Sequence, residues 1–250
     1  MVYFVGAGPG DPELITLKGK KALEQANIII YAGSLVNKEL LNYARKDCAI
    51  YNSAEMTLEQ VIEVIEEGEA QNKLIVRLHT GDPSIYGAIQ EQMDELDKRS
   101  ISYEVIPGVS SFVAAAAALK KEYTLPGVSQ TVILTRMEGR TKVPDGQSIE
   151  ELAAHKATMI IFLSVHMLDE LVAKLKTGYP GDTPVAVVYK ASWPEQKILR
   201  STLDTISEGV KLEGIKKTAL IAVGQFLGSD YELSKLYDKT FSHEFRRASR

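Results

Sequence analysis

Three short segments rich in glycine and proline each follow an apolar run, and each is built to let a polar ligand come close to backbone. In Gly6-Ala7-Gly8-Pro9-Gly10-Asp11-Pro12, three glycines remove side-chain bulk and two prolines fix the path. In Thr80-Gly81-Asp82-Pro83, Asp82 can accept hydrogen bonds from ligand hydroxyls or an amine, beside backbone that Gly81 leaves open. In Ile106-Pro107-Gly108-Val109-Ser110-Ser111, Pro-Gly turns the chain and a serine opens a helix whose free amides suit a carboxylate or a polar ligand edge. Each has a purely structural alternative: a tight strand-to-helix connection, an Asp-Pro turn capping a helix that starts near Ser84, and serine N-caps. Three such turns at successive strand ends on one edge say more than any one of them, because open α/β sheets bind ligands at that edge.

The first loop is not the dinucleotide fingerprint, since Asp11 stands where a third spaced glycine is needed. It fits the looser Gly-x-Gly-x-Gly of ordinary Rossmann-type methyltransferases, but that mode needs an acid at the end of the second strand, and residues 27–34 supply none. Arg136 and Arg140, with Glu138 between them, make a guanidinium pair suited to carboxylates; their alternative reading is a surface charge cluster. Trp193, the only tryptophan, offers a flat apolar face to a ligand or packs against its own domain. His79, His155, His166 and His243 lack zinc-ligand spacing and the methionines are scattered, so no protein-bound metal is expected.

The elements that position these residues follow from hydrophobic period. Apolar runs at 2–5, 27–31, 74–78 and 102–106 are too short and too β-branched for helices, and amphipathic stretches lie at 17–25, 37–45, 58–68 and 88–99, with Thr16 and Thr57 as N-caps. This alternation predicts a mainly parallel sheet covered by helices, ending with an alanine-rich helix from Ser111 to about Lys121. A second set of strands is expected at 131–135, 158–163, 184–190, 197–201 and 219–223, with helices near 149–155, 167–176 and 203–208. The short link between the strands at 184–190 and 197–201 makes them antiparallel, hence a mixed sheet. The fold class is therefore α/β in two domains: 1–121, a linker at 122–130, 131–228, and a polar tail at 229–250.

The 250 residues with 45% apolar content suffice for buried cores. Lysine and arginine total 29 against 33 acids, a formal charge of −4 with no long block of one sign, so nucleic acid is not an expected partner. The lone Cys48 rules out an internal disulfide and fits a reducing compartment. There is no signal-like N-terminus and no run of membrane-spanning length, so the expected location is cytoplasmic, away from the membrane.

The motifs, in order, resemble those of the tetrapyrrole (corrin and porphyrin) methylases, or class III S-adenosyl-methionine-dependent methyltransferases. They comprise the three turns above, Leu14-Ile15-Thr16-Leu17-Lys18-Gly19, Thr183-Pro184-Val185-Ala186-Val187-Val188, and Thr218-Ala219-Leu220-Ile221-Ala222-Val223-Gly224. Tyr31-Ala32-Gly33-Ser34-Leu35-Val36, Thr135-Arg136-Met137-Glu138-Gly139-Arg140-Thr141, Ser192-Trp193-Pro194 and Phe241-Ser242-His243-Glu244-Phe245-Arg246 look most like the branch that methylates C11 of precorrin-4 or cobalt-precorrin-4. The resemblance implies two α/β domains with a cleft between them and a homodimer. It also implies S-adenosyl-methionine as cofactor, leaving as S-adenosyl-homocysteine, and a tetrapyrrole substrate. By position it puts Pro9, Thr80, Gly81, Asp82, Ile85, Ser110, Ser111, Leu163, Ala191 and Ala219 at the cofactor, and makes Arg136, Glu138 and Arg140 candidates for the substrate. The uroporphyrinogen branch carries an aspartate proposed as base where this chain has Ala32, which argues against that reaction and leaves no catalytic residue assigned. A diphthine synthase-like methylase and a non-catalytic corrinoid-binding protein are the other readings.

Overall fold

The apolar runs too short for helices become two five-stranded sheets in the computed structural model, which describes residues 1–139 and 141–248. Each sheet belongs to its own unit: Met1–Ala118 with Lys190–Lys197, and Leu119–Tyr189 with the chain from Ile198 onward.

In the first unit, β1 (Val2–Gly6), β2 (Ile28–Tyr31), β3 (Ala49–Asn52), β4 (Ile75–His79) and β5 (Tyr103–Ile106) lie in the order β3-β2-β4-β1-β5, with every pair parallel. The period of two sorts their side chains to opposite faces. Val5, Ile29, Val76 and Leu78 pack with Leu23 of α1 (Leu17–Gln25) on one face. Phe4, Ile30 and Ile75 pack with Ile62 and Ile65 of α2 (Leu58–Ala70) and Leu96 of α3 (Gln90–Lys98) on the other. A sheet covered on both faces explains why its central strands are apolar throughout. Thr16 and Thr57 cap α1 and α2, the latter in a reciprocal capping box with Gln60.

Departures from the sequence expectations have local causes. Residues 37–45 form a 3-10 turn, Lys38–Tyr43, rather than an α-helix; Asn37 both caps it and donates to the Gly10 carbonyl at 2.8 Å, which anchors its start. No helix starts at Ser84: Asp82 does take the Ser84 amide, but Tyr86 and Ala88 are left-handed (φ 54° and 48°), and α3 begins only at Gln90. The short, largely exposed β3 carries no apolar alternation that could have announced it.

The second unit follows α4 (Ser111–Leu119). Its sheet is mixed: β6 (Val132–Arg136) runs parallel to β7 (Thr158–Phe162), and β10 (Ala219–Val223) pairs antiparallel with both β7 and β8 (Pro184–Tyr189). At the edge, β9 (Lys197–Thr202) lies next to β8. Ile149 of α5 (Ile149–Ala153), Leu171 and Leu175 of α6 (Leu168–Leu175) and Val210 of α7 (Ile206–Leu212) share one core with Ile161, Val187 and Ile221. The 122–130 segment groups with this unit, where the Thr158 hydroxyl donates to the Tyr123 carbonyl at 2.9 Å and Tyr123 meets Phe226 edge-on. Among the described residues no helix is long and apolar enough to cross a membrane.

The order β4-β1-β5 brings the ends of three loop-bearing strands side by side, and glycine decides how closely they meet. A Cβ on Gly6 would fall 2.5 Å from the Gly108 Cα, and one on Gly108 only 2.2 Å from the Gly81 carbonyl oxygen. Both obstacles are backbone, so Gly108→Ala should cost about 3 kcal/mol or more, or abolish folding. Gly139→Ala, which meets nothing within 4 Å, should stay within about 0.5 kcal/mol of wild type. Urea unfolding of the two variants checks the contrast.

Candidate functional site

The first loop is held on all sides by backbone-directed bonds. Ala7 donates to the His79 carbonyl at 2.7 Å, and Gly8 and Gly81 form a two-bond antiparallel bridge (3.2 and 2.8 Å), both in left-handed backbone at φ 78° and 63°. The Pro9 carbonyl takes the Trp193 indole N–H at 2.9 Å, the Gly10 carbonyl takes Asn37, and the Asp11 amide donates to the Ser192 hydroxyl at 3.0 Å. Trp193 lies so close over Gly10 that a Cβ there would sit 2.0 Å from the ring. Trp193 thus packs on the first loop, not on the 131–228 domain against which the sequence reading sets it. Neither Asn37 nor Ser192 stood out as a lock in the sequence, because nothing local in an Asn or a Ser announces a distant carbonyl or amide.

Asp82 joins the second loop to the third. Its Oδ2 accepts the Gly108 amide at 2.8 Å and its Oδ1 accepts the Ser84 amide at 2.9 Å and the Ser84 hydroxyl. Burial works to raise this carboxyl, but the Ser84 hydroxyl and the amides of Gly108 and Ser84 favour its charged form, and the balance holds it below the ordinary carboxylate value. The Asp82 carboxylate is thereby a staple between loops, a role that residue type alone does not show. Gly81 lies against Ser110 and Ser111, 3.5 Å from the Ser110 Cα and 3.6 Å from the Ser111 amide measured from a Cβ position. Pro9, Thr80, Gly81, Asp82, Ile85, Ser110 and Ser111 thus sit on three adjoining turns. Within them the Thr80 hydroxyl oxygen is buried without a hydrogen-bond partner among the described residues.

Beneath the edge lie Arg77 and His79, both nearly sealed from solvent at 4% and 3% exposure. Burial, with the Arg77 charge adding to it, pushes His79 down to about 3, so its imidazole is neutral at physiological pH.

In the second unit, β10 runs antiparallel to β7, so its start at Ala219 lies at the same sheet edge as the end of β7, which Leu163 follows, and Arg136 lies beside Phe162. Arg136, Leu163 and Ala219 therefore share one edge of that sheet. Leu163 is 59% exposed and left-handed at φ 55°; an exposed leucine in that conformation is the kind of local strain that gathers at functional positions. Ala191, beyond the end of β8, is buried and belongs to the first unit. The candidate substrate residues are changed by the structure. Both terminal nitrogens of Arg136 are engaged, with the Met137, Thr141 and Lys142 carbonyls and the Thr141 hydroxyl at 2.9–3.3 Å. Arg136 thus shapes its own loop rather than offering a free fork to carboxylates. Glu138 is exposed and its charge is felt at Lys174. Arg140 lies outside the described residues.

The grooves elsewhere on the second unit, one of about 550 Å³ beside Val165–Glu170 and Val210–Lys216 and one of about 500 Å³ around Ser129 and His155, contain none of these candidate residues.

Comparison with known proteins places this geometry. The family model for tetrapyrrole (corrin/porphyrin) methylases matches residues 1–207. A cobalt-precorrin-4 C(11)-methyltransferase of Methanocaldococcus jannaschii is 61% identical, over 99% of this chain and 96% of its own length. The X-ray structure of a cobalamin biosynthetic enzyme, cobalt precorrin-4 methyltransferase, superposes with a TM-score of 0.89 at 44% identity, covering 91% of this chain and 96% of the other. A uroporphyrin-III C-methyltransferase of Thermus thermophilus complexed with S-adenosyl homocysteine gives a TM-score of 0.74 at 27% identity, covering 90% and 98%. With a family match over most of its length and a relative this similar end to end, the chain belongs to the tetrapyrrole (corrin/porphyrin) methylases.

Proposed function

We propose that this methyltransferase of cobalamin biosynthesis takes S-adenosyl-methionine as donor and methylates C11 of cobalt-precorrin-4, the substrate named for the 61%-identical relative. The observation that carries the cofactor reading is the meeting of three glycine turns at adjoining strand ends, with the unpartnered Thr80 hydroxyl among them. A buried hydroxyl without a partner is costly unless a ligand completes it. Pro9, Gly81, Ser110, Ser111 and Ala191, all of the first unit, hold the donor in this reading.

When bound, S-adenosyl-methionine supplies an electrophilic methyl group on a sulfonium whose charge is lost on transfer. The chain's part is to align an electron-rich ring carbon behind that methyl and to keep water out. Its residues suit that task better than proton transfer: His79 is neutral and sealed, the Asp82 carboxylate is committed to backbone, and position 32 is alanine. The cobalt belongs to the substrate. The homodimer implied by the resemblance is part of the same reading.

Calorimetry should show tight binding of S-adenosyl-homocysteine that Asp82→Ala weakens about ten- to hundredfold, because the staple between loops is lost. Incubation with S-adenosyl-methionine should add one methyl to cobalt-precorrin-4 at C11, with the metal-free substrate as the second arm; absence of binding by the folded wild type sinks the reading.

Thr80→Val removes the unpartnered hydroxyl at nearly constant shape. Thermal stability should hold or rise slightly while S-adenosyl-homocysteine affinity falls about five- to tenfold. Unchanged affinity in calorimetry would take Thr80 out of the site.

The carboxyl of Asp82 is lowered in the folded state, so its contribution to stability is complete above the ordinary carboxylate value, roughly 3.9, and is lost as pH falls through the depressed folded value. The stability advantage of wild type over Asp82→Asn in urea titrations should accordingly be present at neutral pH and shrink below about pH 4.

A further inference from the structure

A charge sealed in a protein interior normally has an ion partner, and Arg77 has none among the described residues; burial alone lowers it, to about 10, so it stays charged at neutral pH. Its bonds go elsewhere. Nε donates to the Gln92 side-chain oxygen at 2.8 Å, and a terminal nitrogen donates to the Ile30 carbonyl at 2.8 Å, across from β4 to β2. Gln92, itself only 6% exposed, passes the connection on, its Nε2 donating to the Ala88 carbonyl at 2.8 Å.

Ala88 ends a turn that would not hold its shape unaided. Tyr86 and Ala88 are both non-glycine residues with positive φ, and Gly87 is pressed so closely on Pro83 that a Cβ would lie 2.0 Å from its carbonyl oxygen. Such conformations persist only where surroundings over-determine them. The turn starts directly from Asp82 and carries Ile85, whose amide donates to the Asp82 carbonyl at 3.2 Å.

We propose that Arg77 and Gln92 are positioning residues, a buried relay that runs from β2 and β4 to the Ala88 carbonyl and holds the Ile85–Ala88 turn in the form the cofactor edge requires. This rests on the cofactor reading above. Arg77 does not touch the ligand; it fixes the Gln92 side chain, and Gln92 fixes the turn. An apolar pair would fill the same space without the cost of a buried charge, but it could not bond a carbonyl.

Gln92→Glu separates this role from simple core filling. Glutamate keeps an oxygen for Arg77 and gains a charge-assisted bond, yet has no N–H for the Ala88 carbonyl. The expected result is an unchanged or raised melting temperature, affinity for S-adenosyl-homocysteine reduced about tenfold in calorimetry, and faster hydrogen exchange confined to the amides of residues 84–89. Arg77→Lys keeps the charge but cannot reach Gln92 and Ile30 from one planar fork; it should give the same local exchange pattern, and covers the case in which the glutamate variant does not fold. Wild type that binds S-adenosyl-homocysteine together with a stable Gln92→Glu that binds equally well, with exchange at 84–89 unaltered, overturns the relay alone. Wild type that fails to bind overturns the cofactor reading and the role given to the relay with it.

Discussion

Backbone packed on backbone, where the ends of β4, β1 and β5 meet, is the constraint on which the first unit is built. Gly6, Gly81 and Gly108 approach so closely that no side chain fits between them. Because side chains are absent there, backbone groups line the edge, and each loop is fixed by bonds to its neighbour instead of by its own packing. The Gly8–Gly81 bridge joins the first loop to the second, and the Asp82 carboxylate joins the second to the third. Parallel strands make this possible. Their carboxyl ends all emerge at one edge, and the connections leaving β1 and β4 carry α1 and α3 to opposite faces of the sheet.

The polar side chains inside this unit serve the backbone first. Asp82, Asn37, Ser192, Trp193, Arg77 and Gln92 each satisfy a carbonyl or an amide of a turn or strand. Loop carbonyls and amides near a sheet core must find partners or lose the free energy of their hydration. Supplying those partners from distant parts of the chain is what makes the loops rigid. Ser164 does the same in the second unit, fully buried, accepting from the Met137 amide at 2.9 Å while donating to the Phe162 carbonyl at 2.6 Å. The loop after β6 is thus tied to the end of β7, and Arg136 adds its own clamp. Among the described residues of the first unit, the Thr80 hydroxyl and the neighbouring His79 Nε2 are buried without such a partner.

A preformed edge of this kind suits methyl transfer, where the donor already carries the driving force and geometry limits the rate. It also accounts for the absence of an assigned base. Of the ionisable groups nearest the edge, the Asp82 carboxylate is held by the Gly108 and Ser84 amides, Arg77 by the Ile30 carbonyl and Gln92, and His79 is uncharged through burial, so electrostatics here orders loops more than it moves protons.

Much of this was written in the sequence. Hydrophobic period set the type of nearly every helix and strand, the caps at Thr16 and Thr57 were legible from residue type, and the glycine turns marked adjoining strand ends and, with the other motifs, the family. These signals are local: a strand's alternation, a cap and a turn each depend on neighbours a few residues away. Tertiary structure alone decided what depends on distance. It made Asp82 a staple between loops, gave Arg136 its own loop to hold, and set Trp193 on Gly10. It buried Arg77 beneath the edge. In each case the partner that fixes a side chain's role is a backbone group brought near by folding, and a residue's type tells how many bonds it can make but not which groups will be there to receive them.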